Sequence, residues 1–406
     1  MSRVLGIALF SLGMALATAS SSAQVGQTLA LVGGTVYVSP TAVPLKDAVV
    51  IVSGGTVSAV GSRSDVQVPP DARIIDCSGR SLTAGFWNSH VHFTEPVWMQ
   101  AASAPAEALT GHMQEMLTKW GFTTVWDLGS NPSDLLTLRR RVEAGDVLGP
   151  GIYSAGDVFP KGGHPIYLPP EMELPEAATA EAAIGFARTF LALGLDGMKL
   201  FTGSYMGDGP VVNMDATIAK AVVDTAHAQG KPVFAHPQNK TGVEVAISAD
   251  VDILAHTVPT EPGYTSEQLA QFKTKRIALI PTLSLWTTVT PDQAAKDFLV
   301  RSGVNQLKAF AANGGIILFG TDVGFTNLYD TSLELEFMGR ALSFGDVLAS
   351  LTTNPAAYFK APRKGQIEQG FDADVVVLDG DPNTDLRNLA KVAYTIRAGR
   401  VIYQNN

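Results

Sequence analysis

The chain has 406 residues and a formal net charge of −9, which argues against a nucleic-acid partner, because that surface needs clustered basic residues. A single cysteine, Cys77, forbids an internal disulfide, so stability has to come from a hydrophobic core that a chain of this size can build. The length suits one large barrel-type domain beside a smaller one.

In chain order, the opening "MSRVLGIALFSLGMALATASSSAQ" carries one early cation, Arg3, then a short apolar run and the small-x-small stretch "SSA". This predicts a secretory signal peptide over 1–23, cleaved after Ala23, and an exported, periplasmic or secreted protein. No later stretch is long and apolar enough to anchor the chain in a membrane. Residues 24–83 hold short β-branched runs broken by Gly-Gly, Pro and Asp, such as "LALVGGTVYV" and "DAVVIVSGGTVSAVG". These predict a small β-unit. Cys77, in "DCSGR", reads as a small half-buried residue near a turn.

Over 84–355 the texture changes. Eight short apolar runs alternate with helical patterns: "GFWNSHVHF" at 85, "FTTVWDLGS" at 122, "GIYSAGD" at 151 and "GLDGMKLFTG" at 194, then "PVFAHP" at 232, "DILAHTV" at 252, "IALIPTL" at 277 and "IILFGTDVG" at 316. Eight βα units close a (β/α)8 TIM barrel. Residues 356–406 return to strand texture in "ADVVVLDG" and "KVAYTIRAGRVIY". The predicted fold is therefore α/β: a TIM barrel with a small β-sandwich built from both chain ends.

In such a barrel, chemistry sits at the C-terminal ends of the strands. Run one ends in His90 and His92, run four carries Lys199, run five ends in His236, run six in His256 and run eight in Asp322. Residues two apart on a strand share a face. His90 and His92 should thus point into the mouth together, with Ser89 and Val91 turned outward, and two imidazoles on one face can grip one ion. Each residue alone has a plain explanation as core, edge or turn. Six polar groups at the strand ends of one mouth do not, since burying them without partners is costly; a metal site removes that cost. A lysine in an apolar strand has a lowered pKa, and its neutral amine can add carbon dioxide to give an anionic carbamate that bridges two ions.

The order HxH, Lys, His, His, Asp on strands one, four, five, six and eight resembles the amidohydrolase superfamily with a binuclear metal centre, in its imidazolonepropionase-like and prolidase-like branch. "LVGGTVY", "IIDCSGRSLTAGFWNSHVH", "LTTNPAAYF", "GQIEQGFDADVVVLDGDP" and "IRAGRVIY" carry the likeness to both ends. The resemblance implies a more buried ion held by His90, His92 and Asp322, and a more exposed one held by His236 and His256. Carbamylated Lys199 and a hydroxide would bridge two divalent ions, with zinc expected. The hydroxide would attack the carbonyl of an amide, N-acyl amino acid, dipeptide or cyclic amide. Asp322 would serve as general base, then acid. His164, in "PKGGHPIY", would hydrogen-bond the scissile carbonyl. The branch's usual Pro-Gly before strand one is Ala84-Gly85 here, its usual acid two before the first His is Asn88, and a tyrosine close after the fifth-strand histidine is replaced by Pro237 and Gln238, which weakens a proline-dipeptidase assignment.

Substrate contacts are expected from His164, Tyr167, Tyr205, Gln238 and Trp286, with Lys161 and Val323-Gly324 as further loop candidates. His112 and His227 read as structural, and "LELE" at 333–336 as a solvated or capping face. An esterase, lactonase or phosphotriesterase on the same centre is the rival within one chemistry. A barrel that only binds a small molecule is the rival of another class. No G-x-S-x-G supports a serine hydrolase. The partner expected is a small molecule, and a homo-oligomer stays open.

Overall fold

The computed structural model describes residues 28–207 and 209–405; the expected signal peptide and the Ala23 cleavage point lie outside them. Both chain ends fold together. Strands Leu29–Val36, Leu45–Ser53, Thr56–Ser62, Arg73–Asp76 and Ser81–Ala84 join Val375–Leu378, Val392–Arg397 and Arg400–Gln404 in one eight-stranded sheet. The seam is antiparallel, with Leu82 opposite Val377. Alternation explains it: Leu29, Leu31, Val50, Val52, Val375 and Val377 all turn to one shared core. The small β-sandwich is thus one continuous sheet, not two separate ones. Cys77 lies fully inside this core rather than half-buried, and burial pushes its thiol up to about 12, so it is inert.

The barrel strands follow in sequence order: Phe86–Val91, Phe122–Asp127, Gly151–Pro160, Gly197–Phe201, Val233–His236, Ile253–Leu254 and Ala278–Leu279. Each pairs in parallel with the one before it. Helices return between them, begun by side-chain caps at Asn131, Thr179, Asp215, Asn239 and Thr265.

The eighth run is not a regular strand. It closes the barrel through isolated bridges, Leu279 to Ile317 and Val91 to Val323. Ser89 N donates to Phe319 O at 2.7 Å, Asp322 N to His90 O at 2.9 Å, and His92 N to Val323 O at 2.8 Å. The irregularity has steric causes. A Cβ at Gly320 would lie 2.4 Å from Ile280 Cγ2, and one at Gly324 only 1.7 Å from His92 O. The backbone there runs too close to strand one for side chains.

Trp87, Trp126, Phe234, Ile253 and Leu318 fill the barrel interior. Phe359 stacks beneath, 4.8 Å from the Trp126 ring and 5.8 Å from Trp87. Apolar packing therefore seals the N-terminal end, and the polar groups collect at the other.

Candidate metal centre and active site

Strand one carries a β-bulge. Asn88 pairs with Val125 and Val91 with Asp127, three steps against two. The extra residue re-aims the chain: Trp87 points into the barrel core, and His90 and His92 still face the mouth, with Val91 packed outward. Strand four needs no such device. Met198 and Leu200 face the outer core, and Lys199 between them points inward, 1% exposed. On strand five, Phe234 and His236 share the inner face by the same alternation. His256 lies two residues beyond strand six, and Asp322 ends run eight with φ 61°, a left-handed backbone that aspartate tolerates better than most residues.

The distances define a tight cluster. Asp322 Oδ1 lies 3.1 Å from His90 Nε2 and 3.0 Å from His92 Nε2, and the two Nε2 atoms are 3.2 Å apart. Asp322 Oδ2 is 4.0 Å from His256 Nε2, and Lys199 Nζ is 3.5 Å from His90 Nε2. The rings of His236 and His256 are 4.7 Å apart.

Second partners fix the tautomers. His90 Nδ1 donates to Ala255 O at 3.1 Å and His92 Nδ1 faces Gly129 O at 3.4 Å. A carbonyl only accepts, so each Nδ1 carries the proton and each Nε2 presents a lone pair. Two lone pairs and a carboxylate oxygen thus converge with no hydrogen between them, and Asp322 Oδ1, buried, has no hydrogen-bond donor. A cation fits this arrangement and an apolar or hydrogen-bonded core does not. His256 is oriented by Thr282 Oγ1 at 2.8 Å, which sequence reading missed; Thr282 sits in the left-handed region at φ 43°, a strained conformation of the kind that clusters at functional sites. Thr282→Val keeps the shape and removes the partner. Metal affinity should fall about 10- to 100-fold with folding unchanged, as read by competition with a chromophoric chelator; wild-type affinity would make Thr282 mere packing.

Burial lowers His90 to about 4 and His236 to about 3, and holds His256 well below the ordinary histidine range. Burial works to raise Asp322, but His90 and His92 outweigh it and keep the carboxyl well below its usual range. Burial also brings Lys199 down to about 8, against the pull of Asp322 and Asp157. The histidine shifts set a pH dependence. Unfolded, these imidazoles protonate near 6.5. Between there and about 4 the unfolded chain binds protons that folded His90 and His236 refuse. His90 and His236 should therefore cost stability as pH falls across that window, by about 1.4 kcal/mol per unit for each, while Asp157 and Glu334, both raised to about 7, act in the opposite direction. The histidine share is read as a difference: chelated His236→Gln should lose less melting temperature from pH 6.5 to pH 4 than wild type, and an equal loss would contradict the buried, neutral assignment.

Two more carboxylates reach the mouth, and both escaped sequence reading. Asp127 ends strand two and accepts from Phe93 N and Ser130 Oγ. Asp157, on strand three, pairs in register with Lys199. Its Oδ1 is buried without a partner, and burial raises it to about 7. The signal was a lone acid inside each apolar run.

Among the expected substrate residues, Gln238 and Trp286 line a cleft with His236, His256, Thr257 and Thr260. Gln238 Oε1 is 2.9 Å from His236 Nε2, and Trp286 Nε1 donates to Thr257 Oγ1 at 2.9 Å. Tyr167 packs on Phe325, while Tyr205 is exposed and meets the loop after strand three through its carbonyl, which accepts from Ile166 N. His164 is not brought to the ligand set: its ring nitrogens face the carbonyls of Pro165 and Met172, both at 3.2 Å, so it ties its own loop. Lys161 is exposed and paired with Glu176 at 3.2 Å.

His112 meets Glu95 Oε2 at 2.5 Å and His227 meets Asp252 at 2.8 Å, both away from the ligand cluster. The "LELE" stretch is not a solvated face at Glu334, which is fully buried. It accepts from Leu283 N and Ser284 N, capping the short helix Leu283–Thr287 that carries Trp286.

A barrel whose mouth gathers imidazoles, a carboxylate and a buried lysine is the architecture of a metal-dependent hydrolase. The Amidohydrolase family profile matches residues 81–402. The chain belongs to the amidohydrolase family, whose chemistry uses divalent metal ions, and it is a hydrolase acting on carbon–nitrogen bonds. Ochratoxinase of Aspergillus niger is 25% identical, over 85% of this chain and 80% of its own length. Among solved structures, a Xaa-Pro dipeptidase with methionine bound in its active site superposes with TM-score 0.79 at 20% identity, covering 93% of this chain and 100% of that one. The structure of A. niger ochratoxinase gives TM-score 0.74 at 19% identity, covering 94% and 96%. These two structures share the fold.

Proposed function

We propose that this chain is an exported binuclear amidohydrolase that cleaves a small amide, N-acyl amino acid, dipeptide or cyclic amide. The observation that supports it most is the convergence of His90 Nε2, His92 Nε2 and the donor-less Asp322 Oδ1 within 3.2 Å of one another. His90, His92 and Asp322 would hold one ion, and His236 and His256 the second. Carbamylated Lys199 would lie between them, with zinc the expected metal. Such ions supply Lewis acidity and a deprotonated water at neutral pH.

The chain's own residues do the rest. Asp322 accepts a proton at its carboxylate and passes it to the leaving nitrogen. Backbone and hydroxyl partners hold His90, His92 and His256 at fixed angles. Trp286, steadied from below by Glu334, walls the cleft beside His236 and His256 and excludes water from the substrate's apolar side.

Metal content per chain tests this, after expression with zinc and bicarbonate, together with a panel of dipeptides, N-acyl amino acids, lactones and phosphotriesters. About two ions and turnover of an amide are expected. Near-zero metal in folded protein would sink the reading, and preference for a lactone or phosphotriester would replace its substrate.

A further inference from the structure

Two aromatic rings stand at the mouth where no core requires them. Phe325 is 44% exposed and Tyr167 is 38% exposed. They come from separate loops, those after strand eight and strand three. Their centroids are nonetheless 5.0 Å apart, edge to face at 69°.

Each ring rides on a pinned turn. Phe325 follows Gly324 at the tip of a turn closed by Gly324 N to Thr326 O at 3.1 Å and Thr326 N to Asp322 O at 3.2 Å. Thr94 Oγ1 holds the same tip by donating to Gly324 O at 2.8 Å. Tyr167 sits in a turn where Leu168 N donates to Pro165 O at 3.1 Å, and His164 braces the base of that loop. Rigid turns that hold apolar rings out of the core give up burial, and a chain keeps such rings for contact with something else.

That contact lies at the reacting centre. The Tyr167 ring meets Phe325, and its hydroxyl is enclosed and feels the charges of Asp322 and Asp157. Phe325 is three residues from Asp322 on the same turn. The pair therefore stands beside the carboxylate assigned to proton transfer.

We propose that Tyr167 and Phe325 form an aromatic clamp that selects substrates bearing an aromatic or similarly bulky apolar group beside the scissile bond. A flat group slides between or beneath the rings and gains their faces, and a methyl group does not span them. The loops after strands three and eight, and not the metal cluster, then set which amide is taken. The proposal rests on the reading of this mouth as the hydrolytic centre.

Two measurements keep the ideas separable. Calorimetric titration of the zinc-loaded enzyme with naphthalene-2-sulfonamide and methanesulfonamide reads the clamp without turnover. The naphthyl probe should bind at least about tenfold tighter. Phe325→Ala and Tyr167→Ala should each erase most of that margin, and Tyr167→Phe should keep it. Metal content and melting temperature serve as the check on folding. Equal binding of the two probes by wild type, or a margin untouched in both alanine variants, overturns the clamp. Hydrolysis of N-(2-naphthoyl)glycine against N-acetylglycine is the second measurement. If neither amide turns over while the probe margin is present and sensitive to the variants, the clamp stands and the hydrolytic assignment falls. If both turn over equally with no probe margin, the reverse holds.

Discussion

Asp322→Asn should lower kcat by about 10²- to 10⁴-fold, the usual contribution of a positioned general acid–base. The substitution suits the site: asparagine accepts the left-handed backbone at φ 61° almost as readily as aspartate, so the turn through Gly324 survives. What disappears is the carboxylate itself, and an amide takes up no proton at neutral pH. Circular dichroism should match wild type. Metal content will drop as well, since Asp322 is also a proposed ligand, so turnover has to be normalised per bound ion. Near-wild-type turnover per ion would remove Asp322 from proton transfer and leave it a ligand only.

Lys199→Ala should cost about one ion per chain and nearly all activity. Its amine is buried and shifted down to about 8, so it gives up its proton more readily than an exposed lysine and can add carbon dioxide once neutral. The variant leaves a cavity of roughly the volume of the lost chain, into which acetate or propionate fits. Partial return of the second ion and of activity with these carboxylates, and a wild-type protein whose activity rises with bicarbonate, are the expected results. Full metal content in Lys199→Ala would show that Lys199 is no ligand, carbamylated or not.

Much of the fold could be read from alternation and rhythm, because each barrel strand buries one face in the core and one in the barrel, and each run stops at a polar residue. The strand ends that carry the clustered histidines, Lys199 and Asp322 were visible for the same reason. What stayed hidden depended on distant chain. The bulge that aims His90 arises from pairing with Val125 and Asp127, and local alternation cannot show it. Asp127 and Asp157 passed unnoticed because their burial is set by neighbouring strands. Glu334 sits in an ordinary-looking "LELE", yet its partners Leu283 and Ser284 lie about fifty residues upstream. His164 stood out by its motif, but the contacts of its ring with the Pro165 and Met172 carbonyls depend on the path of its loop.

The closure between strand one and the eighth run has a consequence for how the protein matures. His90 and Asp322 are joined through Asp322 N to His90 O, and the same two residues contribute side chains to the ion cluster. This is among the longest separations in sequence that the barrel must bridge, and such contacts form late and slowly. An ion that needs both residues is therefore a reporter of finished folding: it cannot be captured by a chain whose ends have not met. Its binding free energy accrues to the closed barrel alone. In a chain whose single cysteine allows no internal disulfide, a bound metal would take over the role of a staple, fastening the first and last turns of the barrel after the polypeptide has found them.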